Sequence, residues 1–136
     1  MPNTVLVDAG PLIALFDKSD KYHILVKDFI SKTPYKFIST EAVITEVSYM
    51  LNFSVEAQID FFKWVIDRGV ILCGISQNDL GSVIDYMRKY ADLPMDFADA
   101  SLIIAAQKLG LQTIISLDSD FNVYRLPSKF KIKNIF

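Results

Sequence analysis

The chain has 136 residues, of which 51% are hydrophobic, and we expect one domain over residues 1–136 whose sheet is covered by helices on both faces. Its formal net charge of −2 lacks the basic surplus usual in nucleic-acid-binding proteins, although a metal-binding cluster of acids would also lower the total. A single cysteine and a single histidine exclude a disulfide framework, a cysteine zinc site and a histidine-rich metal site.

Short β-branched runs separated by helical segments predict an alternation of strands and helices. In chain order, they indicate a strand over residues 4–7, helices over 11–16 and 22–32, a strand over 36–39, helices over 41–51 and 54–68, a strand over 70–73, helices over 76–90 and 96–109, a strand over 113–116 and an edge strand over 131–136. Alternation at this spacing predicts an α/β fold with a mostly parallel central sheet between two layers of helices.

The helix over residues 96–109 is apolar on nearly every side, so we expect most of it to be buried. Lys108 in its last turn and Gly110 just after it are typical of a helix end. The strand that follows is short and β-branched, and it leads into an acidic turn. This helix and strand are the part of the chain around which we expect the fold to be organised.

Four acids are predicted to lie at one edge of the sheet. Asp8 and Asp118 each follow a strand, so both lie at carboxyl ends, where α/β folds keep their active sites. Asp99 is in the first turn of a helix that begins at the same edge, and a fifth acid, Asp96, shares its helix face. Glu46 lies early in the helix that follows the second strand. Carboxylates forced together repel one another and resist ionisation, so such a cluster is costly unless a cation neutralises it.

Oxygen ligands suit hard cations, and we therefore expect one or two Mg²⁺ or Mn²⁺ ions at this edge. Such ions can activate a water molecule and clamp the attacking and leaving oxygens of an in-line phosphoryl displacement. No glycine-rich phosphate loop accompanies the acids, which argues against an enzyme of nucleoside triphosphates.

Four segments carry a family resemblance, and the first two lie in the amino-terminal half. Residues 5–17, which contain Asp8, resemble the opening of a PIN-domain nuclease, in particular the VapC-like toxins of bacterial and archaeal toxin–antitoxin pairs. Residues 40–47 resemble the second motif of the family, which places Glu46 at the family's glutamate.

The third and fourth motifs lie in the carboxyl-terminal half. Residues 96–102 resemble the third motif, with Asp99 at the family's aspartate. Residues 116–121 resemble the fourth, with Asp118 as the usual ligand and Asp120 as a common companion. The order and spacing of the four motifs agree with the family over nearly the whole chain.

The resemblance implies a PIN-like fold and a metal-dependent endoribonuclease. It implies that the catalytic residues and ligands of Mg²⁺ or Mn²⁺ are Asp8, Glu46, Asp99 and Asp118. It also implies an RNA substrate, a homodimer and, for a toxin, a small antitoxin protein that blocks the site. No apolar run approaches the roughly 20 residues that a membrane helix needs, so we expect a cytoplasmic protein without a membrane partner.

Several residues near these motifs have a structural interpretation beside the functional one. Glu41 competes with Glu46, because a glutamate on an amphipathic helix usually faces solvent. Asp96 is either a helix cap or an additional ligand, and Asp120 is either a ligand or a turn acid. Ser116 either orients a carboxylate or a water, or makes only a local hydrogen bond.

We interpret two other groups of residues as structural. Phe61, Phe62 and Trp64 are more typical of a core or a dimer interface than of a platform for stacking bases. The alternating lysines of residues 129–133 are typical of a charged edge strand that prevents aggregation, and contact with phosphate is the lesser possibility.

Rival functions are weaker. A phosphotransfer receiver domain needs an aspartate after a middle strand and a lysine after a late one, and residues 39–40 and 74–76 supply neither. A phosphoaspartate phosphatase would have a second aspartate two residues after Asp8, where Gly10 stands. The alternative that remains is a catalytically inactive PIN-like scaffold that binds RNA or protein.

Overall fold

The computed structural model describes residues 3–93, 95–118 and 133–136 of the chain. These ranges contain five strands, which we number in chain order: β1 (Thr4–Val7), β2 (Lys36–Thr40), β3 (Ile71–Cys73), β4 (Thr113–Ile115) and β5 (Lys133–Asn134). They form one sheet in the order β3-β2-β1-β4-β5, and every pair of neighbours is parallel. The predicted α/β fold with its parallel sheet is therefore confirmed.

Six α-helices connect these strands: α1 (Ala9–Phe16), α2 (His23–Lys32), α3 (Glu41–Met50), α4 (Val55–Ile66), α5 (Leu80–Lys89) and α6 (Phe97–Leu109). Each predicted helix is present, and three of them differ from the prediction by two residues or more at one end. Helix α4 ends at Ile66 instead of Arg68. Helix α1 begins at Ala9 instead of Pro11, because the Asp8 carboxylate caps it. The predicted helix over 76–90 opens with a 3₁₀ turn, Gln77–Asp79, before α5. No helix in the described ranges is both long and apolar enough to cross a membrane.

The core lies around β1 and α6. All four residues of β1 are buried, so helices cover both faces of the sheet at its centre. Eight of the thirteen residues of α6 are buried, as its apolar sequence predicts. Gly110 follows α6 with a φ of 67°, a left-handed conformation that favours glycine and ends the helix.

An aromatic cluster fills the space between α1 and α4. Phe61 is fully buried, and its ring meets Phe16 edge to face with a centroid distance of 5.5 Å. Trp64 packs on Phe16 in the same way at 5.6 Å, whereas Phe62 is 42% exposed. The predicted core role is thus confirmed for Phe61, and Phe62 is left at the surface.

A buried pair of hydroxyl groups joins the starts of α3 and α6. The Thr40 hydroxyl accepts a hydrogen bond from the Val43 amide at 3.3 Å and thereby caps α3, so Thr40 rather than Ser39 is the cap. Its oxygen lies 2.6 Å from the Ser101 hydroxyl oxygen, and Ser101 donates to the carbonyl of Ala98 at 2.6 Å. This arrangement fixes two helices that each carry a predicted site residue.

We expect the substitution Thr40→Val, which keeps the shape of the side chain, to lower the free energy of unfolding by about 1–2 kcal/mol, because the cap of α3 and a buried hydrogen bond are both lost. Urea unfolding followed by circular dichroism measures this change. Thr40→Ser keeps the hydroxyl and serves as the control. Unfolding of Thr40→Val at the wild-type urea midpoint would show that the hydroxyl pair contributes nothing.

Candidate metal centre

Three carboxylates converge at the carboxyl edge of the sheet. Asp8 follows β1, Asp118 lies three residues beyond β4, and Asp99 is the third residue of α6. One carboxylate oxygen from each of them lies within 4.8 Å of the others. The folding rule behind this is simple: β1 and β4 are adjacent and parallel, so the residues after them meet at one edge. The structure thus brings together three of the four acids predicted to lie there.

Asp8 is the most buried member of this triad of carboxylates, with an exposed fraction of 6%. One of its oxygens accepts a hydrogen bond from the Ala9 amide at 2.8 Å, and the other accepts one from the Ser116 hydroxyl at 3.0 Å. Burial nevertheless raises the pKa of Asp8 to about 6, and the charges of Asp118 and Asp96 add to the rise. A cation placed beside this buried carboxylate would stabilise its ionised form.

Asp99 is half-buried, and its pKa is raised to about 7 by burial and then by the charges of Asp96 and Asp8. Asp96 is the N-cap of α6: its carboxylate accepts a hydrogen bond from the Asp99 amide at 2.8 Å. The cap interpretation of Asp96 therefore has a structural basis. Asp96 lies outside the triad, and its role as an additional ligand stays a prediction.

Glu46 lies near the triad without belonging to it. Its side chain is half-buried, and its pKa is raised by burial and then by the charges of Asp96, Asp8 and Asp118. Its rival Glu41 is exposed at the start of α3, where it lines a separate cavity of about 230 Å³ with Phe97. Its electrostatic interaction with Asp96, Asp8 and Asp118 favours Glu46 over Glu41 as the acid near this site, and its role as a ligand stays a prediction.

Ser116 makes both kinds of contact that the sequence left open. The side chain is 2% exposed, and its hydroxyl donates to Asp8 while accepting a hydrogen bond from the Asp118 amide at 2.9 Å. It thus links two acids of the triad. Asp120, the other open candidate, lies outside the described residues, as do Lys129 and Lys131.

Asn134 is a residue near the site for which the sequence interpretation had no role. Its side-chain amide pairs with the backbone of Ser116, with Nδ2 donating to the carbonyl at 2.9 Å and Oδ1 accepting from the amide at 3.2 Å. A usable signal was present, because asparagine is depleted in strands and needs a reason to stand in one.

The donor set of the triad fits a hard divalent cation. All of its ligand atoms are carboxylate oxygens, and they are close enough to contact one ion between them. Two of the acids have pKa values raised to about 6 and about 7, and a positive charge at this position would favour their ionised forms. Oxygen ligands of this kind are suited to Mg²⁺ and Mn²⁺ rather than to softer metals.

Comparisons with known proteins agree with this geometry. Ribonuclease VapC26 of Mycobacterium tuberculosis is 22% identical over 116 residues, which cover 84% of this chain and 86% of that protein. The crystal structure of VapC20 of Mycobacterium tuberculosis, described as a toxin that cleaves the sarcin–ricin loop, matches with a TM-score of 0.79 at 18% identity, over 88% of this chain and 93% of that one. These similarities confirm the resemblance to VapC-like proteins that the four motifs indicated. The model of the PIN domain matches residues 5–126, which run from the first strand past the last acid of the triad, and the chain therefore belongs to the PIN domain family.

Proposed function

We propose that this protein is a metal-dependent endoribonuclease that hydrolyses phosphodiester bonds of RNA. The observation that carries the proposal is the triad of Asp8, Asp99 and Asp118, whose oxygens lie within 4.8 Å of one another at the carboxyl edge of the sheet. Membership of the PIN domain family and the similarity to a protein named a ribonuclease support the same activity. A single domain over residues 1–136 would hold the whole site.

Asp8, Asp99 and Asp118 would hold one or two ions of Mg²⁺ or Mn²⁺, with Glu46 contributing directly or through a water molecule. When bound, such an ion lowers the pKa of water and stabilises the negative charge that develops on the phosphate and on the leaving oxygen. The protein supplies the positions. Ala9 and Ser116 each hold one oxygen of Asp8, so this carboxylate is oriented before any ligand arrives.

The difference in burial among these residues indicates the side from which RNA would reach the site. Asp8 and Ser116 are buried at the bottom of the site, whereas Asp99 and Asp118 are half-buried toward solvent. An RNA phosphate would therefore approach from the side of Asp99 and Asp118, while the Asp8 side stays shielded from bulk water. In such a shielded site, each charge acts more strongly than it would in solution.

We also propose that the protein is the toxin of a toxin–antitoxin pair, in which a small antitoxin covers the site, and that it is a cytoplasmic homodimer. The similarity to VapC20, which is described as a toxin, supports the first part. An exposed apolar face of α4 supports an interface with another chain; its large side chains are Val55, Ile59, Phe62 and Ile66. Light scattering on the purified protein would determine the oligomeric state.

We expect the purified protein, free of any antitoxin, to cleave a mixed RNA pool in Mn²⁺ or Mg²⁺ and to lose this activity in EDTA, because the triad cannot act without its cation. Product lengths on a denaturing gel and mapping of the new 5′ ends measure the cleavage. Adding back the metal after EDTA treatment controls for irreversible damage. A folded, metal-replete sample that leaves the pool intact would favour an inactive PIN-like scaffold that binds RNA or protein.

A further inference from the structure

We infer that Asn134 is a positioning residue for the metal centre, which it reaches through the backbone of Ser116. The inference rests on the proposed function in one respect, namely that the triad binds a divalent cation. It concerns a part of the chain that carries none of the four motifs. Asn134 is the last residue of β5, and the acids that it would position lie after β1 and β4.

The Asn134 side chain satisfies three backbone groups at once. Its Nδ2 donates to the Ser116 carbonyl at 2.9 Å, and its Oδ1 accepts from the amides of Ser116 and Phe136 at 3.2 and 3.1 Å. Both backbone polar groups of Ser116 are thus held by one planar amide. Only a side chain with a donor and an acceptor side by side can make this pair of bonds.

This contact extends the sheet beyond its backbone ladder. β4 ends at Ile115 and pairs with β5 in the register Ile114 with Asn134, and the Ile135 amide donates to the Ile114 carbonyl at 3.0 Å. The Asn134 amide then takes the place of the next backbone partner. Because Ser116 is 2% exposed, losing this partner would leave two buried polar groups without hydrogen bonds, which is costly.

Ser116 carries the effect to the triad. Its hydroxyl donates to Asp8 at 3.0 Å and accepts from the Asp118 amide at 2.9 Å. The path therefore has two steps: Asn134 holds the backbone of Ser116, and the Ser116 hydroxyl holds two of the three acids. Removing a group that orients metal ligands from outside typically weakens metal binding roughly 10- to 100-fold.

The test is Mn²⁺ binding to the full chain, which is measured by electron paramagnetic resonance of the free ion and by calorimetry. We expect Asn134→Ala and Asn134→Leu to weaken Mn²⁺ binding about 10-fold, the lower end of the range for direct partners of metal ligands, because Asn134 acts through Ser116. Leucine has nearly the shape of asparagine, so a loss in both variants assigns the effect to the hydrogen bonds. Cleavage by these variants should recover at saturating Mn²⁺, with the KM for RNA unchanged.

Ile135→Ala is the matched control. Ile135 packs on the core from the same segment, and its apolar side chain cannot form hydrogen bonds. We expect it to lower the melting temperature while leaving Mn²⁺ affinity within about twofold, since it removes packing and no polar contact. Equal losses of Mn²⁺ affinity in Ile135→Ala and Asn134→Ala would overturn the inference. They would mean that Asn134 only helps to attach residues 133–136 to the sheet.

Two reference proteins separate this inference from the proposed function. If the wild type binds Mn²⁺, Asp8→Asn loses binding, and the Asn134 variants bind like the wild type, then the inference alone fails. If the wild type itself binds no Mn²⁺, then the metal-dependent nuclease fails together with the inference.

Discussion

Replacing Asp8 with asparagine should abolish RNA cleavage, with a fall of about 10³-fold or more, while the protein stays folded. The reason is that a cation at this site contributes several kcal/mol of charge stabilisation, and each 1.36 kcal/mol corresponds to a factor of ten in rate. Asparagine keeps the shape of the side chain and remains a good helix cap for α1. Initial rates on a labelled RNA, with circular dichroism on the same samples, measure the effect.

The same variant should be more stable than the wild type in EDTA at pH 7.5. The pKa of Asp8 is raised from 3.8 to about 6 in the folded protein, mainly by burial. Because the folded protein binds this proton more tightly than the unfolded chain does, protonation of Asp8 favours folding. The stability falls as the pH rises from about 4 through about 6 and Asp8 becomes ionised. At pH 7.5 the buried charge costs about 3 kcal/mol, because one pKa unit equals 1.36 kcal/mol. Asparagine carries no charge and removes that cost.

Urea unfolding in EDTA at pH 7.5 and pH 4 measures this difference. We expect Asp8→Asn to unfold at higher urea than the wild type at pH 7.5, and the two curves to approach each other at pH 4. The exposed Asp60 inside α4 provides the control, since Asp60→Asn should shift either curve by at most about 0.5 kcal/mol. Lower stability of Asp8→Asn at pH 7.5 would mean that the hydrogen bonds from Ala9 and Ser116 outweigh the burial of the charge.

Asp99→Asn should reduce cleavage by about 10³-fold or more, because it removes a second ligand of the cation. Glu46→Gln should reduce it only about 10- to 100-fold, the range usual for residues outside the ligand shell. The distinction follows from the geometry, since the oxygens of Asp99 lie within 4.8 Å of those of Asp8 and Asp118, and Glu46 is not part of this group. Cleavage rates and Mn²⁺ titrations on both variants measure the two effects.

Glu41→Gln is a matched control for Glu46→Gln, because both residues lie on α3 and Glu41 faces another cavity. It should leave the cleavage rate within about twofold of the wild type, as is usual for surface changes. An effect of Glu46→Gln as large as that of Asp99→Asn would make Glu46 a direct ligand of equal rank. An effect of Glu41→Gln larger than that of Glu46→Gln would reverse the assignment of the glutamate.

Much of the fold could be predicted because its signals are local. β-branched runs, apolar helical periodicity and the Gly110 stop each depend on residues a few positions apart, and the elements that they indicate are present. The placement of Asp8 and Asp118 at one edge needed one further rule, that parallel strands joined by helices end at the same side. The larger differences lie at helix ends: Asp8 and a capping box at Ser76 decide the first turns of two helices, and α4 ends two residues early.

Other features could not be predicted, because they depend on residues far apart in the chain. Thr40 and Ser101 are separated by 61 positions, and no local pattern indicates that their hydroxyl oxygens lie 2.6 Å apart. The pair of Asn134 with Ser116 is of the same kind. The raised pKa values of Asp8 and Asp99 also belong here, since burial and neighbouring charges exist only once the helices have packed.

The sequence by itself therefore determined the alternation of strands and helices, the parallel sheet and the edge at which the acids gather, because these follow from local periodicity and from chain connectivity. The tertiary structure alone decided which acids bring their oxygens together, that Asp96 caps α6, and that the last strand reaches the site through Asn134. These outcomes depend on differences of a few ångströms between side chains from separate elements, and the packing of the core sets such distances.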